Sequence, residues 1–403
     1  MNKIGVIGGG AAGFFAAIHA AVSGHKVIIF EKTSKILSKV KVSGGGRCNV
    51  TNDCYEISNL IKGYPRGNKF LKKSFQHFNV KDTITWFEDR GVQLKIEPDG
   101  RVFPVSDNSA SIIEVLVNES RKYKVEILKH HSIDAVVFRN QTFELEAGQK
   151  SYTVDKLVVS MGGSPKPEAY DFIRKLGHSV ISPIPSLFTF NLPDEPITQL
   201  KGISLPDSMI RLEGSKLSYS GPLLITHWGI SGPAVLKLSA FGAAFLHDKA
   251  YKAVALIRWR HDFTEEGLRQ DLFAFREGHP KKKIASNPMF NLPARLWGFL
   301  VGQSGIAASA SWRDSSKKEV NKLVEYLFKY PLNICGKTTF KEEFVTAGGV
   351  CLEEVNPHTM ESRMVPGLFF AGEVLNMDGI TGGYNFQAAW TTGYLAGINA
   401  SND

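Results

Sequence analysis

The sequence predicts an α/β protein. A domain in two pieces, residues 1–186 and 343–403, is built on a parallel sheet and interrupted by an inserted unit, residues 187–342. Three observations predict it. Residues 1–31 run strand, glycine turn, helix, strand, acid. Two more glycine-rich turns, near residue 45 and between residues 372 and 387, have the composition of chain that lies against a ligand. Between them, Pro183, Pro185, Pro193, Pro196 and Pro206 cut the chain into short apolar strands, with alternation over Met209–Leu217.

The opening run is a Rossmann-like signature. Lys3–Ile7 has buried-strand character, and Gly8-Gly9-Gly10-Ala11-Ala12-Gly13 satisfies G-x-G-x-x-G. Phe14–Ser23 is Ala-rich and helix-compatible, Gly24 stops it, and Val27–Phe30 is a second strand ending at Glu31 and Lys32. Gly8 permits the tight turn, Gly10 lets backbone approach a diphosphate, and Gly13 lets helix and strand pack closely. The free N–H groups and dipole of the helix, with Ala11 and Ala12 in its first turn, favour the anion. Glu31 stands where an acid accepts from an adenosine ribose and disfavours a 2′-phosphate, so FAD or NAD is expected rather than NADP.

Ile4–Val22 is apolar enough to resemble a signal peptide or membrane anchor. Its five glycines at turn spacing, and Lys3 as the one basic residue before it, argue against export. The 403 residues leave ample chain for a core. Shares of 43% hydrophobic and 22% charged residues are those of a soluble globular chain, and no later stretch reads as a membrane span. Cys48, Cys54, Cys335 and Cys351 form no C-x-x-C pair, which fits a reducing cytoplasm and supplies no metal cluster. Net charge is +9, from 48 basic and 39 acidic residues. That excess marks either a nucleic-acid surface or dispersed solvated lysines; Lys281-Lys282-Lys283 and Lys317-Lys318 are the tight clusters, and neither is interleaved with aromatics. The dispersed reading is preferred.

Ser43-Gly44-Gly45-Gly46-Arg47-Cys48-Asn49-Val50-Thr51-Asn52 follows the first unit. Three consecutive glycines cannot pack a core; Arg47 adds a fixed cation, and Asn49, Thr51 and Asn52 add short donors and acceptors. The alternative is a flexible surface loop. This run resembles the hallmark of a bacterial family of YhiN-like, aminoacetone-oxidase-like FAD-dependent oxidoreductases, also called NAD(FAD)-utilizing proteins. The resemblance implies a glutathione-reductase-type FAD fold, with Gly44, Gly45, Gly46, Arg47, Cys48 and Asn49 near the isoalloxazine and ribityl chain. Cys48 beside a flavin is open to redox chemistry, although a cysteine without a resolving partner is more often packing.

Asn68–Gly91 reads as helical, and Val92–Val105 as a hairpin turning at Pro98-Asp99-Gly100. A helix over Ser109–Lys122 and a strand over Val125–Leu128 follow. In glutathione-reductase-type flavoproteins a residue near this point pairs by its backbone with adenine, and Ile133 is the candidate. His130 and His131 have no third ligand nearby, so no metal site is expected. Phe138–Val154 reads as a β-meander, and Leu157–Gly163 as a strand ending in small residues. Ser160, Met161, Gly162 and Gly163 resemble the A-T-G-G element that returns to FAD, with Ser-Met in place of Ala-Thr.

The inserted unit is expected to be β-rich and barrel-like over about 187–262 and 331–342, and helical over about 263–330, with breaks at Pro280, Pro288 and Pro293. Thr226-His227-Trp228-Gly229-Ile230-Ser231-Gly232-Pro233 resembles a family element, T-H-x-G-x-S-G-P. His227 is either a proton donor or acceptor toward a flavin or a histidine held structurally by the turn. No second G-x-G-x-x-G follows a strand, so NADH or NADPH, if it is the reductant, is expected to reach the flavin directly.

The last sixty residues return to the cofactor. Phe344–Val350 reads as a strand and turn, Leu368–Glu373 as a strand ending in Gly-acid, and Ala388–Gly397 as an apolar helix. Gly372, Glu373, Asp378, Gly382, Gly383, Tyr384, Asn385 and Gln387 follow the family pattern A-G-E…D-G…T-G-G-Y-N-x-Q. The helix start after Gly382 and Gly383 suits negative charge on a reduced flavin. These two later turns are unnecessary for NAD alone, so FAD is the expected cofactor. The expected function is hydride or electron transfer between a small organic substrate and flavin N5, of the amine-oxidising or C=C-reducing kind that the resemblance implies. The alternatives are an RNA-modifying flavoprotein, since tRNA-modifying flavoproteins share this kind of domain, and a flavin-binding protein without turnover. The oligomeric state is left open.

Overall fold

The computed structural model describes residues 1–338 and 345–402. The fold is α/β. The chain divides into two compact units, Met1–Ser186 with Phe340–Asp403, and Leu187–Thr339. The boundary expected at 342/343 lies outside the described residues.

The first unit is organised by five parallel strands in the order Leu368–Phe370, Lys156–Val159, Lys3–Ile7, Lys26–Glu31, Glu126–Lys129. Strands covered on both faces need apolar side chains at consecutive positions, and Val27–Phe30 is buried throughout. The first helix, Ala11–Val22, packs on the last, Tyr384–Ala400, through small residues. A Cβ on Gly393 would stand 2.6 Å from Ala12 O, and one on Gly397 would stand 2.4 Å from Ala16 O. That crossing carries the C-terminal turn back to the N-terminal one.

Two small antiparallel sheets complete the unit: Ala135–Arg139, Thr142–Ala147 and Lys150–Val154; and Thr51–Asn52, Arg101–Pro104 and Leu94–Ile96. Val180–Ser186 pairs with Val345–Val350, and Ser186 faces Val345. Three expectations are corrected. Residues 68–91 form two helices, Asn68–Ser74 and Val80–Glu88. Asn79 ends the run by capping the second: its Oδ1 accepts from Lys81 N (2.9 Å), while Asp82 accepts from Asn79 N (2.8 Å). The last helix starts at Tyr384, four residues before Ala388, because Gly383 provides its entry at φ +92°. The strand at Leu368 ends at Phe370, and Gly372–Val374 is a 3₁₀ turn.

The second unit has its own apolar core, which includes Trp259, Trp297 and Trp312. Its sheet is antiparallel, in the order Tyr330–Cys335, Lys252–Arg258, Ser204–Leu212, Ser218–Ile225, Gly229–Ser231, Thr189–Asn191, Lys337–Thr338. The two outer strands are separated in the chain by Gly336 alone. At φ +147°, with its carbonyl accepting from Asn191 N (3.0 Å), Gly336 bends one strand from the first edge onto the last. The sheet thereby closes on itself, in the manner of a barrel. Helices Glu265–Gly278, Ala294–Gln303 and Lys317–Phe328 fall in the helical stretch, and Pro233–Phe241 adds one inside the part read as β-rich. Pro233 starts that helix, and Ala234, Val235 and Leu238 bury its face.

Candidate dinucleotide site

The first turn is clamped between strands. Gly8 N donates to Phe30 O (2.8 Å), Leu37 N to Gly9 O (2.8 Å), and Ser160 N to Ile7 O (2.8 Å). Gly8 adopts φ +109°, and a Cβ there would stand 2.5 Å from Ser160 O. A Cβ on Gly13 would stand 1.9 Å from Gly8 O, whereas one on Gly10 meets nothing within 4 Å. The turn is therefore closed where helix meets strand and open beside Gly10. The helix of Ala11 and Ala12 presents its N–H groups there, as an anion requires.

Glu31 is buried and already engaged. Its Oε2 accepts from Gly9 N (3.0 Å), and its Oε1 accepts from Thr33 N and Oγ1 (2.8 Å each). A carboxylate has about four acceptor positions, so about one remains for a ribose hydroxyl. Lys32 beside it is exposed. Ile133 is half-buried, and its backbone N–H and C=O make no hydrogen bond among the described residues.

In the second turn Gly44, Gly45 and Gly46 all take positive φ, and Gly45 and Gly46 have open faces. Arg47 is a cation held in place by acids of the hairpin. Its Nη1 donates to Glu97 Oε1 (2.6 Å) and Asp107 Oδ1 (3.3 Å), and its guanidinium lies 3.9 Å over the Phe103 ring. Cys48 is fully buried, and burial pushes its thiol up to about 12. That rules against a thiolate and leaves the packing role. Iodoacetamide is accordingly expected to label exposed Cys335 in the native protein and to reach Cys48 after unfolding; mass spectrometry of the labelled peptides checks this.

The third turn is laced to the other two. A Cβ on Gly372 would stand 2.8 Å from Ala12 Cβ, and Gly372 N donates to Thr392 Oγ1 (2.9 Å). Glu373 takes Lys39 Nζ (2.6 Å) and Thr346 N (2.8 Å). Beside it are Met161, Gly162 and Gly163, half-buried; Gly162 has an open face, and a Cβ on Gly163 would stand 2.9 Å from Glu373 Oε1. The Asn49 amide, oriented so that donors meet acceptors, accepts from Gly383 N (2.9 Å) and donates to Thr51 O (2.9 Å). Asn52 Nδ2 donates to Gly382 O (3.1 Å).

Several residues expected on the cofactor spend their polar atoms within the chain. Gln387, fully buried, accepts from Thr51 Oγ1 (2.6 Å) and donates to Thr391 (3.1 Å). Asn385 closes the loop at Gly379, accepting from its N–H (2.8 Å) and donating to its carbonyl (2.9 Å). The Tyr384 carbonyl accepts from Tyr64 OH (2.7 Å). Asp378 is buried, held by both arms of the Arg66 guanidinium and by Ser186 Oγ (2.6 Å). Burial raises its carboxyl above the ordinary value, against the pull of Arg66. Arg66, Ser186, Lys39 and Thr346 escaped the sequence reading. Nothing in Tyr64-Pro65-Arg66-Gly67 signals a partner more than three hundred residues away.

His227 lies in the second unit, in the tight turn closed by Thr226 N and Gly229 O (2.8 Å). Its ring is exposed, meets Trp228 edge-on at 4.4 Å, and makes no hydrogen bond among the described residues.

A parallel sheet with an open glycine turn, an acid after the second strand, and two glycine turns laced together at the far end define a Rossmann-type FAD-binding flavoprotein of the oxidoreductase class. Residues 2–399 match the family described as "HI0933-like protein Rossmann domain", and the chain belongs to that family. It is 31% identical to a 3-dehydro-bile acid delta(4,6)-reductase of Clostridium scindens, covering 100% of this chain and 99% of that one. It is also 31% identical to a ribosomal RNA dihydrouridine synthase of Haemophilus influenzae, over 98% of each. Its fold resembles a 3-ketosteroid delta1-dehydrogenase of Sterolibacterium denitrificans, at TM-score 0.52 and 12% identity over 100% of both chains. A 3-ketosteroid-delta4-(5alpha)-dehydrogenase of Rhodococcus jostii matches at TM-score 0.51 and 15% identity, over 100% of this chain and 97% of that one.

Proposed function

We propose that this chain is an FAD-dependent reductase of a ring C=C bond conjugated to a carbonyl. The observation that carries the reading is whole-length similarity, at equal identity, to two proteins whose names both describe adding two hydrogens to such a bond. When bound and reduced, FAD supplies the hydride. The chain's own residues hold and orient it. The open face of Gly10 and the N–H groups of Ala11, Ala12 and Gly13 take the diphosphate. Glu31 takes a ribose hydroxyl, the Ile133 backbone takes adenine, and Glu373, set by Lys39, takes the ribityl side. Gly45, Gly46 and Gly162 give the ring system room, Gly382 and Gly383 bring the chain close to Asn52 and Thr51, and the start of helix Tyr384–Ala400 favours negative charge before it. His227, exposed and unbonded, donates the proton that completes the reduction. NADH or NADPH is the outside reductant.

A structured RNA as bearer of the ring is the second reading, favoured by the net charge of +9. The test is anaerobic reduction of the holoprotein with NADH or NADPH, followed by addition of a 3-oxo-4-ene steroid or a folded ribosomal RNA transcript. Return of oxidised-flavin absorbance with one of them is expected; no reoxidation by either sinks the proposal. His227→Ala should slow that reoxidation by on the order of a hundredfold with flavin content unchanged. Unaltered kinetics would remove His227 from the chemistry.

A further inference from the structure

Two lysine clusters far apart in the chain are adjacent in the second unit. Arg313 N donates to Pro280 O (2.9 Å), Trp312 N to Lys282 O (3.0 Å), and Ile284 N to Ala310 O (3.1 Å), while Lys283 bridges to Ser311. Ser316 then caps helix Lys317–Phe328, which sets Lys317 and Lys318 in its first turn directly after this strip. Lys281, Lys282, Lys283, Arg313, Lys317 and Lys318 are all exposed. The five lysines make no ion pair among the described residues, and Arg313 meets Asp314 at 3.6 Å. Glu277 and Asp314 are exposed acids nearby; Asp314 and Glu319 are engaged as caps, on Ser311 N (3.1 Å) and Ser316 N (2.7 Å).

Local stability does not account for this charge. Cations in the first turn of a helix oppose its dipole, and three consecutive lysines repel one another. The fold also supplies the aromatic face absent from the linear sequence. The exposed His279 ring stacks on Phe275 at 4.3 Å and 20°, with Lys282 Nζ 5.4 Å over Phe275. No large apolar side chain is exposed between residues 275 and 318, so the strip offers nothing for insertion into a lipid surface. Clustered cations beside a stackable ring match a phosphate backbone with unpaired bases.

We propose that this strip docks the phosphate backbone of a structured RNA. The proposal rests on the RNA reading above and adds the surface that would hold the substrate. The test uses flavin-loaded full-length protein and a folded ribosomal RNA transcript, with filter binding over a salt series. K281E/K283E/K318E is compared with K249E/K252E, which reverses two exposed lysines elsewhere in the same unit. The triple variant should bind on the order of tenfold or more weakly, with its log–log salt slope flattened by about 2 to 3. Its flavin content, melting temperature and steady reduction by NADH or NADPH should match wild type, and the double variant should bind as wild type does. If wild type binds and is reoxidised by RNA but the triple variant is unaffected, the docking surface alone is overturned. If wild type fails to bind RNA at low salt, the RNA reading falls and takes the surface with it. Loss of binding to phosphatidylglycerol vesicles without loss of RNA binding would overturn the proposal in favour of lipid.

Discussion

Gly13→Ala is expected to yield a chain that does not fold, and Gly10→Ala one that folds and does not hold flavin. Both are single methyl additions in one six-residue turn. At Gly13 the methyl would stand 1.9 Å from Gly8 O, a backbone atom fixed by the strand pairing around it. Neither helix nor strand can retreat, and the cost exceeds about 3 kcal/mol. At Gly10 the backbone has φ −93° and ψ −169°, which alanine adopts freely, and the methyl meets no atom within 4 Å. It fills instead the space left for a diphosphate. Urea melts of the apoproteins and flavin titrations separate the two: a Gly10→Ala protein with wild-type flavin affinity would remove the diphosphate from that place.

Arg66→Met is expected to destabilise the first unit by about 3–5 kcal/mol, because it leaves the fully buried Asp378 without its cation. The effect is pH-dependent in a defined direction. The folded-state carboxyl of Asp378 is raised by burial above its unfolded value, and loss of Arg66 raises it further. Its protonated form is therefore favoured by folding. That contribution is full below the ordinary carboxylate value and is lost as pH rises through the raised one. Arg66→Met should thus be closest to wild type at mildly acid pH and furthest from it at mildly alkaline pH. Denaturant melts at both check this, and an equal deficit at the two would show that Asp378 is not the group left stranded. Asp378→Asn, which removes the charge and keeps the shape, should cost less than Arg66→Met.

Much of this site was legible because its signals are local. Gly8, Gly10 and Gly13 announce a turn by spacing, and the structure shows a different physical need at each: positive φ, an open face, and contact with a carbonyl. The hairpin through Pro98-Asp99-Gly100 and the strand at Val27–Phe30 are local in the same way. What stayed hidden depends on residues distant in sequence. Arg47 reads as a fixed cation, but the acids that fix it, Glu97 and Asp107, arrive from the hairpin. Asn385 and Gln387 read as ligand-facing until Gly379 and Thr51 claim them. Asn79 breaks a helical pattern that periodicity alone continues. The two lysine clusters look dispersed because the pairing of Lys283 with Ser311 is invisible to composition.

The course of the chain around residue 186 has a further consequence. Ser186 and Val345 are paired in the first unit, and Thr189 and Thr338 are paired in the second. Each unit thus presents its two ends side by side, hydrogen-bonded within itself. A segment joined in that way is a cassette. The seven strands and their helices can be enlarged, trimmed or exchanged for another fold, and the register of the five parallel strands need not shift to accommodate the change. Diversification of one module at constant cofactor architecture is the evolutionary behaviour that such paired ends permit.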